Sequence, residues 1–230
     1  RTILTVQPTS ARSTMAYQPQ GLRVLLQEPG NQKLFLWDPN TAAYLLEKPP
    51  GGATTALYTT EPAPYGRLVA QRHSDASSYY HFDVLGSTRA LTDATEVVTA
   101  TITYSADGEI VAWTGPTETP FAWIGRSGYY KTSLRNMYYV RARAYLPLIA
   151  RWASADPLVP VGFPWAYVYS GNRPVTFRDP SGLSVQPDLI ISPKEACRRA
   201  VPGNGLPPLF PLGALILPLP PAARGRVLGD

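Results

Sequence analysis

Cysteine is nearly missing from this chain: Cys197 stands alone among 230 residues. One thiol makes no internal disulfide and no cysteine-based zinc site, and nothing around it forms a catalytic signature, so Cys197 is read as a bystander. Histidine is almost as scarce. His73 and His81 are the only two, and with no Cys partner and no His-x-x-His spacing they predict no metal site. His81 is read as a packed or hydrogen-bonded residue of a sheet. No cofactor is expected.

Charge is thin as well, at 16% of residues, and lysine is limited to Lys33, Lys48, Lys131 and Lys194. The formal charge of +5 therefore comes mostly from arginine. Apart from Arg141/Arg143 and Arg198/Arg199 the arginines are scattered, which predicts a solvated or salt-bridged face and no nucleic-acid partner. Unbroken apolar sequence is missing too. The stretch 205–223 is uncharged but carries Pro207, Pro208, Pro211, Pro218, Pro220 and Pro221. A membrane span needs about 20 apolar residues in a helix that satisfies its own backbone, so this run reads as extended, polyproline-like chain, and no transmembrane segment is expected. The chain opens on Arg1, shows no charged-then-apolar leader, and is expected to be a piece of a longer polypeptide.

What is plentiful is proline (25), glycine (18) and tyrosine (14). Proline removes a backbone donor and glycine weakens helices, while Tyr, Trp, Val and Thr suit a half-buried pleated surface. The composition predicts an all-β or irregular protein. An internal period supports the first. Phe35, Tyr58, Tyr80 and Tyr104 each stand three residues before an acid, namely Asp38, Glu61, Asp83 and Asp107. The acids recur every 22 to 24 residues. Between them lie strand-like runs at 67–70, 79–82 and 89–93. From Val97 to Tyr104 the residues Val98, Ala100, Ile102 and Tyr104 alternate with threonines, as expected of a strand with one buried face. Asp107-Gly108 reads as a hairpin turn, with 109–113 returning. A strand–turn–strand unit cannot bury its face alone, so neighbours must stack into a spiral sheet that continues beyond this piece.

Five ordered blocks then resemble the RHS-repeat-associated core of the RHS/YD-repeat family. They are Tyr79-Tyr80-His81-Phe82-Asp83-Val84-Leu85-Gly86-Ser87-Thr88-Arg89-Ala90-Leu91-Thr92-Asp93, Met137-Tyr138-Tyr139-Val140-Arg141-Ala142-Arg143-Ala144-Tyr145, Arg151-Trp152-Ala153-Ser154-Ala155-Asp156-Pro157-Leu158, Ala166-Tyr167-Val168-Tyr169-Ser170-Gly171-Asn172-Arg173-Pro174 and the terminator Asp179-Pro180-Ser181-Gly182-Leu183. The resemblance implies degenerate YD repeats over 1–78, the core over 79–183 and a Pro-rich tail over 184–230. The implied fold is a β-hairpin spiral, part of a hollow shell, ending in a plug. Three loops depart from the family pattern: 129–136 lacks the usual Asp-x-Glu-Thr-Gly-like turn, Leu146 replaces an Asp before Pro147, and Ala150 replaces a Gly before Arg151.

The resemblance also implies function. Such shells enclose their own C-terminal polypeptide, often a toxin, and the core cuts the chain just after the terminator. Carried over by block, the site residues are Arg143, Asp156 and Asp179, and the cut falls between Leu183 and Ser184. Paired carboxylates can hydrolyse an amide when one serves as acid and the other as base. Both aspartates precede proline, which holds the backbone in an extended or turn conformation. A turn through Gly182 would bring the bond back to Asp179, and Arg143 would stabilise an ionised carboxylate or the developing oxyanion. Ser184 offers a second route, an N-to-O acyl shift. Taken without the family, the same residues are ordinary turn chemistry and a plain salt bridge.

Within the tail, 192–199 could form one short helix, and no nuclease, deaminase or transferase constellation appears, so the tail is read as a non-toxic or vestigial cargo. The expected partners are the upstream shell and this C-terminal peptide, in a secreted or cell-surface setting. The alternative is a non-catalytic structural module for adhesion or carbohydrate contact with a surface glycan. Aromatic residues of repeat β-proteins are, however, usually cross-strand packing pairs.

Overall fold

A computed structural model describes residues 2–6, 12–132, 136–160 and 162–187, with the backbone alone at 2–6, 164, 186 and 187. These residues fall in one compact unit, Arg1–Asp188. The expected short helix at 192–199 and the polyproline-like run at 205–223 lie outside the described residues.

Eleven strands follow one another as an antiparallel meander whose spatial order is the order of the sequence. They are β1 (Thr2–Val6), β2 (Arg12–Tyr17), β3 (Arg23–Glu28), β4 (Asn31–Trp37), β5 (Tyr44–Lys48), β6 (Ala56–Glu61), β7 (Arg67–His73), β8 (Ala76–Phe82), β9 (Thr88–Thr92), β10 (Val98–Tyr104) and β11 (Ile110–Thr114). A four-stranded sheet of β12 (Tyr130–Lys131), β13 (Tyr138–Val140), β14 (Arg143–Leu146) and β15 (Arg151–Trp152) comes next. Last is the two-stranded pair β16 (Phe177–Arg178) and β17 (Gln186–Pro187). Short 3-10 turns interrupt the loops, and the described residues contain no α-helix. The all-β expectation holds.

Two strands make one repeat; Asp38, Glu61 and Asp83 stand at the ends of β4, β6 and β8, whereas Asp107 lies three residues past the end of β10. Asp38 and Asp83 accept backbone N–H groups of their own turns, from Asn40 at 2.9 Å and Ser87 at 2.8 Å. An aspartate side chain bonding its own backbone a few residues on is a turn-forming device. Glu61 instead pairs with Arg67 and Arg126, each at 3.6 Å. At Asp107 the turn bond falls to Ser105 Oγ, which accepts the Glu109 N–H at 3.1 Å. The spacing persists while the acid's task changes.

A second regularity is written in the backbone. Pairing with the following strand shifts between Ala16 and Tyr17, Leu36 and Trp37, Thr59 and Thr60, His81 and Phe82, and Thr103 and Tyr104. Each repeat thus carries a bulge at the same end of the same strand, and bulges bend a strand and strengthen its twist. One further shift, between Val98 and Ala100, corrects the expected alternation of β10. Ala100 and Ile102 are buried and Tyr104 is partly so, but Val98 is turned out and exposed.

The inner face carries Phe35, Tyr58 and Tyr80, all buried, against Phe121, Tyr130 and Tyr139. Arg23 departs from the solvated face expected of the arginines. Its guanidinium is wholly buried and lies 4.8, 4.8 and 4.3 Å from the ring centres of Phe35, Tyr130 and Tyr139, where cation–π attraction replaces hydration. At the other end of the sheet, Tyr138 and Tyr145 donate their hydroxyls to the carbonyls of Gly108 (3.0 Å) and Asp107 (2.9 Å). Gly108 has φ +90°, and a Cβ there would overlap the Trp123 indole. The β10–β11 turn is therefore the seat on which the smaller sheet rests.

Candidate active site

The site is built on the β13–β14 hairpin. Val140 pairs with Arg143, leaving Arg141 and Ala142 as a two-residue loop, with Arg141 at φ +46°. Arginines two apart thereby leave the hairpin as separate buried anchors. Arg141 donates to four backbone carbonyls: Ala42 (2.9 and 3.1 Å), Tyr65 (3.0 Å), Ser127 (3.0 Å) and Pro180 (2.7 Å). Burial pulls its pKa below the ordinary arginine value. Arg141 ties the wall of repeats to the terminator loop.

Arg143 serves the carboxylates. Its Nη2 lies 3.0 Å from Asp156 Oδ2 and 3.1 Å from Asp179 Oδ2, while Nε donates to the carbonyl of Gly182. The guanidinium lies 4.2 Å from the Trp152 ring centre, so the fork is held in one orientation. Of the three side chains, Asp156 alone keeps appreciable solvent contact, at 13% exposure against 4% for Arg143 and 1% for Asp179. Asp156 is set by its own loop: its N–H donates to Ala166 O and its Oδ1 accepts the Leu158 N–H, both at 2.9 Å.

Asp179 is held from both sides. Its backbone N–H donates to the Tyr129 hydroxyl at 3.0 Å, and the Tyr129 and Tyr169 hydroxyls are 3.0 Å apart. Burial, then Tyr169, then the Asp179 carboxylate, push the Tyr129 hydroxyl well above the usual tyrosine range. The free oxygen of Asp179, Oδ1, accepts the Ser181 hydroxyl (2.8 Å), the Leu183 N–H (3.1 Å) and the Ser184 N–H (3.0 Å). The turn that curls back this way passes through Gly182 at φ +73°, against the Val140 carbonyl and the Arg143 amide, where no Cβ fits.

The sequence-expected residues Arg143, Asp156 and Asp179 thus meet at one guanidinium nitrogen, and the Ser184 amide lies on Asp179. The arginine reaches the carbonyl of Gly182, one residue before the Leu183–Ser184 bond. Leu183 is half-buried and Ser184 exposed. Sequence reasoning missed Tyr129, Tyr169, Arg141 and Ser181. The tyrosine contacts span 40 and 50 residues, beyond any local signal. Arg141, Tyr169 and Ser181 lay inside matched blocks and could have been asked for a partner. Among the described residues no three of His, Cys, Asp and Glu come close enough to hold a metal ion.

An eleven-stranded antiparallel meander, a smaller sheet seated on its last turn and a terminator loop folded onto a buried Asp–Arg–Asp cluster make up an all-β fold that matches solved RHS-shell structures. The particular relatives agree. The fold is that of the TcdB2-TccC3 crystal structure, with a TM-score of 0.59 over 80% of this chain and 10% of that one, at 21% identity. It is equally that of the Tc holotoxin pore of Photorhabdus luminescens, with a TM-score of 0.58 over 83% of this chain and 11% of that one, at 18% identity. In sequence, the chain is 39% identical to toxin protein Tse5 of Pseudomonas aeruginosa over 74 residues, which is 32% of this chain and 6% of that protein. It is 25% identical over 178 residues to the tRNA3(Ser)-specific nuclease WapA of Bacillus spizizenii, covering 74% of this chain and 7% of that protein. No family model matches. The chain spans less than a tenth of the length of these curated relatives.

Proposed function

We propose that this chain is an end segment of an RHS-type toxin shell, which cuts itself once by hydrolysing the Leu183–Ser184 bond. The observation that carries the reading is the Ser184 N–H on Asp179 Oδ1 at 3.0 Å, with Asp156 bound through the same Arg143 nitrogen. Asp156, in contact with solvent, takes the proton of the attacking water. Asp179, against the leaving nitrogen, is the acid. Arg143 and Trp152 hold the two carboxylates in register, the positioning that converts a slow hydrolysis into an intramolecular one. On this reading, residues 1–78 are degenerate repeats, 79–183 the core and 184–230 the released tail. The partners are the upstream wall, continued from β1, and the C-terminal peptide as cargo. The toxin relatives support a secreted or surface-delivered protein.

The satisfied state of Asp179 also favours a second reading, a structural turn without catalysis. Replacement separates them. Asp156→Asn and Asp179→Asn in the full-length protein are expected to leave the chain whole where wild type is cut. A wild-type chain that stays whole sinks the proposal and leaves the structural turn.

A further inference from the structure

Resting on the hydrolytic reading above, we infer that Arg141 is a positioning residue that makes the cut conditional on the wall of repeats. The terminator loop is drawn into place only where the turns after β4 and β6 are docked on the β13–β14 hairpin. The guanidinium is divided between the two sides. Nε and Nη2 face the wall, where they donate to the carbonyls of Ala42 and Tyr65. Nη1 faces the other way and donates to Ser127 O at 3.0 Å and Pro180 O at 2.7 Å. Pro180 follows Asp179 in the chain, and Arg143, which holds both aspartates, leaves the same hairpin as Arg141.

Three strained backbones meet at this one side chain. Ala42 at φ 54° and Tyr65 at φ 66° are left-handed without being glycine, and so is Arg141 at φ 46°. Such residues persist only where the surroundings over-determine them, and they cluster at clamps and switches. Both wall residues turn their carbonyls to the guanidinium. The two turns are stitched together by the Tyr65 N–H, which donates to Thr41 O at 2.7 Å, and the Tyr65 ring centre lies 4.6 Å from the guanidinium.

Burial makes the link all-or-none. Arg141 is 6% exposed, and a buried cation is tolerated only while its donors are met. With the wall turns displaced, Nε and Nη2 lose their acceptors together. The side chain then gains by turning to water, and its hold on Pro180 goes with it. The consequence is timing: a chain whose wall is unfinished keeps its tail.

The test is the rate of appearance of the Ser184 amino terminus in full-length protein, followed from first folding. Arg141→Met breaks the link from the hairpin. Gly66→Ala breaks it from the wall, because Gly66 has φ +55° and a Cβ there would overlap that of Ala43, beside Ala42. Each is expected to slow the cut by about 10- to 100-fold, the scale of a misplacement at a distance. The double variant is expected to be no slower than the slower single one, since both sever one link. Arg141→Lys keeps the charge without the fork, so it is expected to be at least about tenfold slow, and it replaces the methionine variant if that fails to fold. Leu26→Ala, in the core of β3 away from either turn, is expected to melt lower yet cut within about threefold of wild type.

A wild-type rate in Gly66→Ala or Arg141→Lys overturns the inference. Losses that multiply in the double variant overturn it too, as does a Leu26→Ala cut slowed as much as the others at equal melting temperature. In all of these outcomes wild type is still cut, so the hydrolytic reading stands. A wild-type chain that is never cut overturns that reading and this inference with it.

Discussion

Asp179 accepts the N–H of Ser184, five residues ahead, at 3.0 Å, so the terminator closes on itself around one carboxylate oxygen. That closure requires Gly182. With φ +73° and no room beside the Val140 carbonyl, a side chain there must both strain its own backbone and push the β13–β14 hairpin apart. Gly182→Ala is expected to cost about 3 kcal/mol and to abolish the cut. Thermal melting and fragment analysis check the two effects together. An alanine variant that melts and cuts like wild type would mean the loop is set by something else.

Arg143 supports the fold as well as the site. Removing it strands Asp179, 1% exposed, without its cation. Arg143→Met is expected to destabilise the protein by about 3–5 kcal/mol, as for other broken buried pairs. Arg143→Lys keeps a charge but cannot reach two carboxylates and the Gly182 carbonyl as a planar fork, so it is expected to recover part of the stability and little of the cleavage. Chemical denaturation of both variants decides this, and a lysine variant that cuts at the wild-type rate contradicts it.

Ala150 is a site for improvement. It ends the 3-10 turn Pro147–Ile149 in the left-handed region, φ 54° and ψ 40°, which glycine adopts at no steric cost. Ala150→Gly is expected to stabilise by about 0.5–1 kcal/mol, equivalent to about 1–4 °C in Tm for a chain of this size. Unchanged or lowered melting would show that the strain is absorbed elsewhere.

High pH should unfold the protein through its tyrosines. Burial raises the hydroxyls of Tyr129, Tyr130, Tyr138, Tyr145 and Tyr169 above the ordinary value, so the folded state keeps them neutral. Their contribution is complete below about pH 10, the ordinary tyrosine pKa, and is lost as pH climbs toward the raised folded values. Tyrosinate absorbance is expected to appear for these residues together with unfolding above pH 10. Smooth titration of all fourteen tyrosines near pH 10 in a folded protein would contradict their burial.

The legible part of this molecule was side-chain chemistry at fixed spacing. Phe35, Tyr58 and Tyr80 announced the repeat because an inward aromatic is needed once per hairpin pair, and the terminator announced Asp179 because its residue types rarely fall together. What could not be read was backbone and distance. The bulges that recur near Leu36, Thr59, His81 and Thr103 cost no particular residue type, and a separate shift between Val98 and Ala100 leaves Val98 exposed against its pattern. Arg23 looked like surface charge because nothing local says that Tyr130 and Tyr139, more than a hundred residues on, will cover it. The partnership of Arg143 with two aspartates was implied by family resemblance, whereas the tyrosine pair behind Asp179 was not suspected.

The most direct test of the account is the intact mass of freshly folded full-length protein. Two fragments are expected, meeting at Leu183 and Ser184, with masses that sum to the whole chain plus one water, and both are expected to vanish in Asp156→Asn and in Asp179→Asn. A single uncut mass, or a break after Asp179 where the acid-labile Asp179–Pro180 bond lies, would contradict it.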